Sequence, residues 1–73
     1  MNRNDLLEIL RRENIPENAY SLFGGLPNEK FCINKMEYWE VYYSERGIKT
    51  QLKKFDTEDK ACEYLYKKLH AVL

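Results

Sequence analysis

Tyr38–Phe55 (YWEVYYSERGIKTQLKKF) is the stretch that decides the fold, because it holds two alternating runs joined at Gly47. Apolar and polar side chains that alternate with period two are typical of strands with one buried face, so the stretch predicts a β-hairpin. Gly47 supplies a positive φ angle without steric cost. Arg46 is a poor first residue for a two-residue type I′ turn, so a four-residue loop or a glycine bulge is an equal alternative, and a bulge would shift the pairing by one residue.

The predicted register places Val41 opposite Leu52 and Glu40 opposite Lys53. A slip by one residue would pair apolar with charged side chains, so this register is well specified. One face of the hairpin is then apolar and faces the core, and it consists of Trp39, Val41, Tyr43, Ile48 and Leu52. The other face is expected to be solvated, and it consists of Tyr38, Glu40, Tyr42, Ser44, Lys49, Gln51 and Lys53.

Amphipathic segments on both sides of the hairpin predict two helices, over residues 5–13 and 57–71. Leu6 and Leu10 are the core-facing residues of the first helix. The core-facing residues of the second helix are Ala61, Cys62, Leu65, Leu69 and Val72. The residues available to cap the two helices are Asn2, Asn4, Asp56 and Thr57.

The predicted strands cover residues 19–23, 31–35, 38–45 and 48–55, and Gly24-Gly25 after the first is interpreted as a turn. Two amphipathic helices need one apolar sheet face to bury against. We therefore predict a single α+β domain over residues 1–73. It is expected to be a two-layer sandwich. One layer is an antiparallel three- or four-stranded meander, and the N- and C-terminal helices pack on one face of it.

Charge and composition limit the possible partners. Twelve basic and twelve acidic residues give the 73-residue chain a formal net charge of zero, so no global field attracts nucleic acid or an anionic membrane. The chain has no apolar run near the roughly 18 residues of a spanning helix, and it starts on polar residues, so we expect a cytoplasmic protein without membrane contact. Cys32 and Cys62 are expected to stay reduced there, and no spacing predicts a metal or other cofactor.

Two functional classes are disfavoured by particular residues. The order helix, meander, helix is shared with double-stranded-RNA-binding domains, whose last helix begins with phosphate-binding lysines. Here Asp56, Glu58 and Asp59 occupy that position and would repel phosphate. His70 has no nucleophile or carboxylate that the sequence brings to it, and no pattern places a glutamate in an apolar pocket. We therefore expect neither nucleic-acid binding nor catalysis.

Three segments resemble small immunity proteins that are encoded beside bacterial polymorphic toxins. They are YSLFGGLPNE at Tyr20–Glu29, WEVYYSERG at Trp39–Gly47, and Phe55–Tyr64 with Cys62 and Glu63. The resemblance implies a stoichiometric inhibitor that binds a cognate toxin and blocks its active site. Many such toxins are nucleases and many of their inhibitors are acidic, whereas this chain is neutral.

The residues expected to contact the partner are Tyr38, Glu40, Tyr42, Glu45, Arg46 and, on the preceding loop, Glu29. Tyrosine is a rigid amphipathic anchor that is enriched in interfaces, so we expect the two tyrosines to insert into the partner. The charged residues at the hairpin tip would set the electrostatic register. The alternative is a small regulatory or interaction domain whose single protein partner contacts a helix face instead.

Overall fold

The computed structural model describes all residues from 1 to 73. Its elements are, in chain order, α1 (Arg3–Arg12), a 3₁₀ helix (Glu17–Ala19), β1 (Tyr20–Ser21), β2 (Lys30–Lys35), β3 (Trp39–Glu45), β4 (Ile48–Phe55) and α2 (Glu58–Val72). The predicted α+β class is confirmed, and every predicted helix and strand is present, with ends that differ from the predicted ones by no more than two residues.

The four strands form one sheet in the order β1-β2-β3-β4. The neighbours β2, β3 and β4 are antiparallel as predicted, but β1 runs parallel to β2, so the sheet is mixed. A parallel neighbour requires the chain to return along the sheet before the next strand starts. Leu22–Glu29, here called the crossover loop, makes this return.

The helix ends are set by side chains that the sequence offered as alternatives. Asn2 caps α1, because its Oδ1 accepts from the Asp5 backbone N–H at 2.8 Å while the Asp5 carboxylate accepts from the Asn2 N–H at 3.2 Å. Thr57 caps α2 by accepting from the Lys60 N–H at 3.2 Å. Asn14, with a φ of 59°, ends α1 before Pro16. Neither helix is long and apolar enough to cross a membrane.

Both helices contribute to one core on the same face of the sheet, here called the inner face. Ile33 and Val41 are the fully buried sheet residues on it, at 0% and 1% exposure. The helices contribute Leu6, Leu10, Ala61, Cys62, Leu65 and Leu69. Trp39 is half-buried at the margin of this core, and Tyr43, also half-buried, packs against the ring of Phe31. The prediction that Val72 belongs to the core is wrong, since the helix ends there and Val72 is 53% exposed.

A β-bulge in β4 changes the predicted register of the hairpin. Tyr43 pairs with Thr50 as predicted, but Val41 pairs with Lys53. One residue of β3 thus lies opposite two of β4, and the extra residue is Gln51, with a φ of 56°. The register up to the bulge is confirmed and the register beyond it is wrong by one residue.

The bulge turns the side chain of Leu52 to the outer face of the sheet, because side chains alternate and Lys53 faces inward with Val41. Leu52 is 38% exposed, and Ile48, the first residue after the turn, is 62% exposed. The prediction that these two residues belong to the core is wrong. Since the shift is confined to β4, both helices still lie on the inner face.

Candidate functional site

The six residues expected to contact a partner do not form one surface. Glu29 and Arg46 are exposed and Glu45 is half-buried, and all three lie near the hairpin tip. Tyr38 precedes the first residue of β3, so it is on the order of 20 Å along the strand from Glu45. Glu40 and Tyr42 lie between them on the outer face and are buried, so the hairpin tip is the only place where several of these residues reach solvent together.

The part of the outer face formed by β2 and β3 is not solvated as predicted, because the crossover loop covers it, whereas the β4 part is exposed. Tyr42 is 1% exposed, and its hydroxyl donates to the Gly25 carbonyl at 2.6 Å. Gly24, with a φ of +81°, passes so close to Asn34 that an added Cβ would lie 2.5 Å from the Asn34 Oδ1. Tyr42 therefore holds the loop on the sheet, and the prediction that it stands outward as an anchor is wrong.

Glu40 is also buried on this face, at 2% exposure, which contradicts its predicted place on a solvated face. The Lys49 Nζ lies 2.6 Å from its Oε1, and the Asn34 Nδ2 donates to the same oxygen at 3.5 Å. A buried carboxylate needs such a cation, because its charge has lost its water. The predicted pair with Lys53 is wrong, since the bulge places Lys53 on the inner face.

Burial changes the acid–base properties of the two groups under the crossover loop. Loss of water raises the pKa of the Tyr42 hydroxyl to about 12, and the neighbouring thiol of Cys32 adds to this rise. Burial likewise raises the pKa of Cys32 to about 11. Both groups therefore stay protonated near neutral pH, and Tyr42 serves as a hydrogen-bond donor. The Lys49 Nζ lies 4.6 Å from the centre of the Tyr42 ring and completes this packing.

The hairpin tip is a tight turn that the crossover loop holds in place. Arg46 and Gly47 both have positive φ angles, 53° and 75°, between the paired residues Glu45 and Ile48. This two-residue connection is of type I′, in spite of arginine at its first position. The Arg46 backbone N–H donates to the Asn28 Oδ1 at 3.2 Å, so the loop compensates for the unfavourable residue.

The remaining predicted residue, Tyr38, packs against β4. The Lys54 Nζ lies 4.5 Å from the centre of its ring, a cation–π contact on the outer face. Tyr38 is half-buried, so part of the ring reaches solvent. It belongs to the β4 side of the molecule and not to the hairpin tip.

The sequence-based prediction missed β4 itself as a surface. It is an edge strand, since only β3 pairs with it, and Ile48–Lys54 are all exposed. It carries three lysines and no acidic residue, although the whole chain is neutral. That charge pattern is visible in the sequence, and the predicted meander already places its last strand at an edge of the sheet.

A second missed cluster surrounds Arg3 at the start of α1. The Arg3 guanidinium carbon lies 4.7 Å from the centre of the Phe23 ring and 4.9 Å from the centre of the Trp39 ring. The Lys35 Nζ lies 5.3 Å from the centre of the same Trp39 ring. Arg3 also donates to the Leu22 carbonyl at 3.3 Å. Phe23 is 61% exposed, so this end of the crossover loop adds aromatic surface.

His70 has a carboxylate partner in the structure, although the sequence predicted none. Glu13 at the end of α1 accepts from the Tyr66 hydroxyl at 2.7 Å, and its other oxygen lies 2.7 Å from the His70 Nε2. The hydrogen bond from Tyr66 lowers the pKa of Glu13 most, and the one with His70 lowers it further. The bond between Tyr66 and Glu13 also raises the pKa of Tyr66. The cluster joins the last turns of the two helices.

Comparisons of the chain with protein-family models, with curated proteins and with solved structures found no match.

Proposed function

We propose that this protein binds one protein partner through the tip of the β3–β4 hairpin and thereby acts as an immunity protein. In this proposal it inhibits a cognate bacterial toxin stoichiometrically in the cytoplasm and does no chemistry itself. The proposed contact surface, here called the tip surface, consists of Glu29, Glu45, Arg46 and Ile48.

The observation that carries the proposal is a charged and apolar tip that is fixed before any partner arrives. The Arg46 N–H is held by Asn28, and the same loop is held by the Tyr42 bond to Gly25. A surface fixed in this way loses little conformational entropy on binding, which favours tight association. Ile48, 62% exposed between the charges, supplies apolar area that a partner can bury.

The resemblance of Tyr20–Glu29 and Trp39–Gly47 to immunity proteins supports the same proposal, because these segments form the loop and the strand that fix the tip. Tyr42 then has a different role from the predicted one. It positions the loop instead of entering the partner. Glu40 also differs from its predicted role, because it is buried and neutralised by Lys49.

The test is co-expression with the toxin gene adjacent to the gene for this protein, with growth and binding affinity as the measurements. Wild type is expected to restore growth, and Arg46→Glu is expected to weaken binding by at least about tenfold. Lys67→Glu, a charge reversal of an exposed lysine on α2, is the matched control and should restore growth fully.

Two outcomes would contradict different parts of the proposal. If folded wild type restores growth against no neighbouring gene product, the immunity function is wrong and an interaction domain with another partner is the better description. If Arg46→Glu and Ile48→Asp, both folded by circular dichroism, restore growth with unchanged affinity, the tip surface is not the inhibitory surface.

A further inference from the structure

We infer that the free edge of β4 binds an acidic extended segment of a partner protein, which adds to the sheet as a fifth strand. The inference rests on the proposed function in one respect, since it assumes that the protein binds a protein. It concerns a different set of residues from the tip surface, namely Leu52–Phe55.

The edge offers an unpaired set of backbone groups. β4 is the last strand of the sheet, and its residues up to Lys54 are exposed. An open edge of this kind is a template for an added strand, whose main chain supplies most of the hydrogen bonds. The bulge at Gln51 interrupts the edge, so the regular part on which a strand can add is Leu52–Phe55.

The charges of this segment select an acidic occupant. Neither Lys53 nor Lys54 forms an ion pair, and the Lys54 Nζ lies over the ring of Tyr38, so neither charge is neutralised by a carboxylate. Because Lys53 pairs with Val41 and Lys54 with Glu40, the two lysines point to opposite faces of the sheet. Two adjacent acidic residues on an added strand would place one carboxylate beside each lysine, and an aliphatic residue next to them would cover Leu52.

A second copy of this chain is a poor occupant of the same edge. Antiparallel self-pairing of the regular segment Leu52–Phe55, centred between Lys53 and Lys54, places Lys53 of each copy directly beside Lys54 of the other. Like charges directly opposite each other destabilise a strand pair. Edge lysines and bulges commonly prevent self-association, and here they leave an acidic strand as the complementary partner.

The experiment is a binding titration with a synthetic seven-residue peptide, in which two adjacent glutamates are flanked by valines and threonines. Amide NMR spectra of the ¹⁵N-labelled protein are expected to show shifts concentrated on Leu52–Phe55. The double variant Lys53→Glu/Lys54→Glu should bind at least about tenfold more weakly, and should prefer the peptide with lysines in place of glutamates. The matched control is Lys67→Glu/Lys68→Glu, which reverses two adjacent lysines on α2 and should bind the original peptide as wild type does.

Backbone pairing is separated from simple charge attraction by a peptide that is N-methylated at alternate residues. The methylated peptide is expected to lose binding, since it cannot donate to the β4 edge. Equal binding of the methylated peptide, or equal weakening in the α2 control variant, would overturn the inference. The inference would also be wrong if wild type bound a single-stranded RNA more tightly than the peptide and the Lys53→Glu/Lys54→Glu variant lost that RNA binding. A concentration-dependent dimer in sedimentation would overturn it as well.

The inference and the proposed function fail in different experiments. If the wild-type protein restores growth against the toxin and the Lys53→Glu/Lys54→Glu variant restores it equally, with no peptide binding, the β4 inference is wrong and the immunity function stands. If the peptide binds as described but no toxin is inhibited, the immunity function is wrong and the β4 edge remains a binding site for acidic strands.

Discussion

Glu40 is a carboxylate buried to 2% exposure in the outer face of the sheet, and the Lys49 Nζ at 2.6 Å is its paired cation. Removing the cation would leave a buried negative charge without compensation, which is costly because the charge has no water. The Lys49 side chain is 33% exposed, so water would partly replace it. We therefore expect Lys49→Met to lower the free energy of unfolding by about 1–3 kcal/mol, measured by urea denaturation.

Lys53→Met is the control for this effect, since Lys53 lies on the same strand and forms no ion pair. Its substitution is expected to change stability by less than about 0.5 kcal/mol. Equal destabilisation by the two variants would show that β4 needs lysine for its strand structure and not for Glu40.

Gly24 shows how one residue determines which face of the sheet is covered. Its φ of +81° lies in the region that favours glycine, and a Cβ there would collide with the Asn34 side chain. The sequence-based prediction treated Gly24-Gly25 as a turn, which accounts for the positive φ angles but not for the close approach. No local pattern shows that a loop will pass over a distant strand, so the burial of Tyr42 could not be predicted.

Among the elements, β4 and α2 contain leucines in contrasting environments. Leu65 in α2 is fully buried in the core, whereas the bulge leaves Leu52 at 38% exposure on the outer face. Truncation of a buried leucine loses its transfer free energy and leaves a cavity, so Leu65→Ala is expected to lower the free energy of unfolding by about 2–5 kcal/mol. Leu52→Ala should cost less, about 1 kcal/mol, because 38% of the residue stays in water and truncation at the surface leaves no enclosed cavity.

Thermal and urea denaturation of the two variants measure this contrast. Alanine favours a helix and disfavours a strand, so propensity alone would make Leu52→Ala the more costly change, and a larger loss for Leu65→Ala therefore reports burial. A loss for Leu52→Ala as large as that for Leu65→Ala would mean that β4 has the predicted register, with Leu52 beside Val41 in the core.

The elements were predicted well because their signals are local. Alternation in Trp39–Glu45, the helical spacing of Leu65 and Leu69, and the caps at Asn2 and Thr57 each act within a few residues. A bulge was an alternative only at Gly47, and its position at Gln51 was missed because glutamine does not favour a positive φ angle. Its conformation is set by the tertiary structure, and a one-residue shift was enough to move Leu52 to the other face.

At the scale of the whole molecule, contacts between α1 and α2 join the two ends of the chain. The Arg3 backbone N–H donates to the Glu58 carboxylate at 2.9 Å near the start of both helices. Glu13 joins Tyr66 and His70 near their ends. An acidic residue at the end of a helix is unfavourable for the helix dipole, and these two partners offset that effect. Glu13 therefore contributes to stability through a contact between distant parts of the sequence.

This contact predicts a particular dependence of stability on pH. The Tyr66 and His70 hydrogen bonds lower the pKa of Glu13 in the folded protein below its ordinary value of 4.5. A carboxyl with a lowered folded pKa stabilises the protein fully above its unfolded pKa, and this contribution is lost as the pH falls through the folded pKa. The free energy of unfolding of Glu13→Gln should therefore fall less steeply below about pH 4.5 than that of wild type.

Glu63→Gln, an exposed position on α2 without an ion pair, is the control and should follow the wild-type slope, measured by urea denaturation across this pH range. If Glu13→Gln also follows the wild-type slope, the Glu13 contact does not hold α1 on α2 in solution, and the acid sensitivity of the protein arises from its other carboxylates.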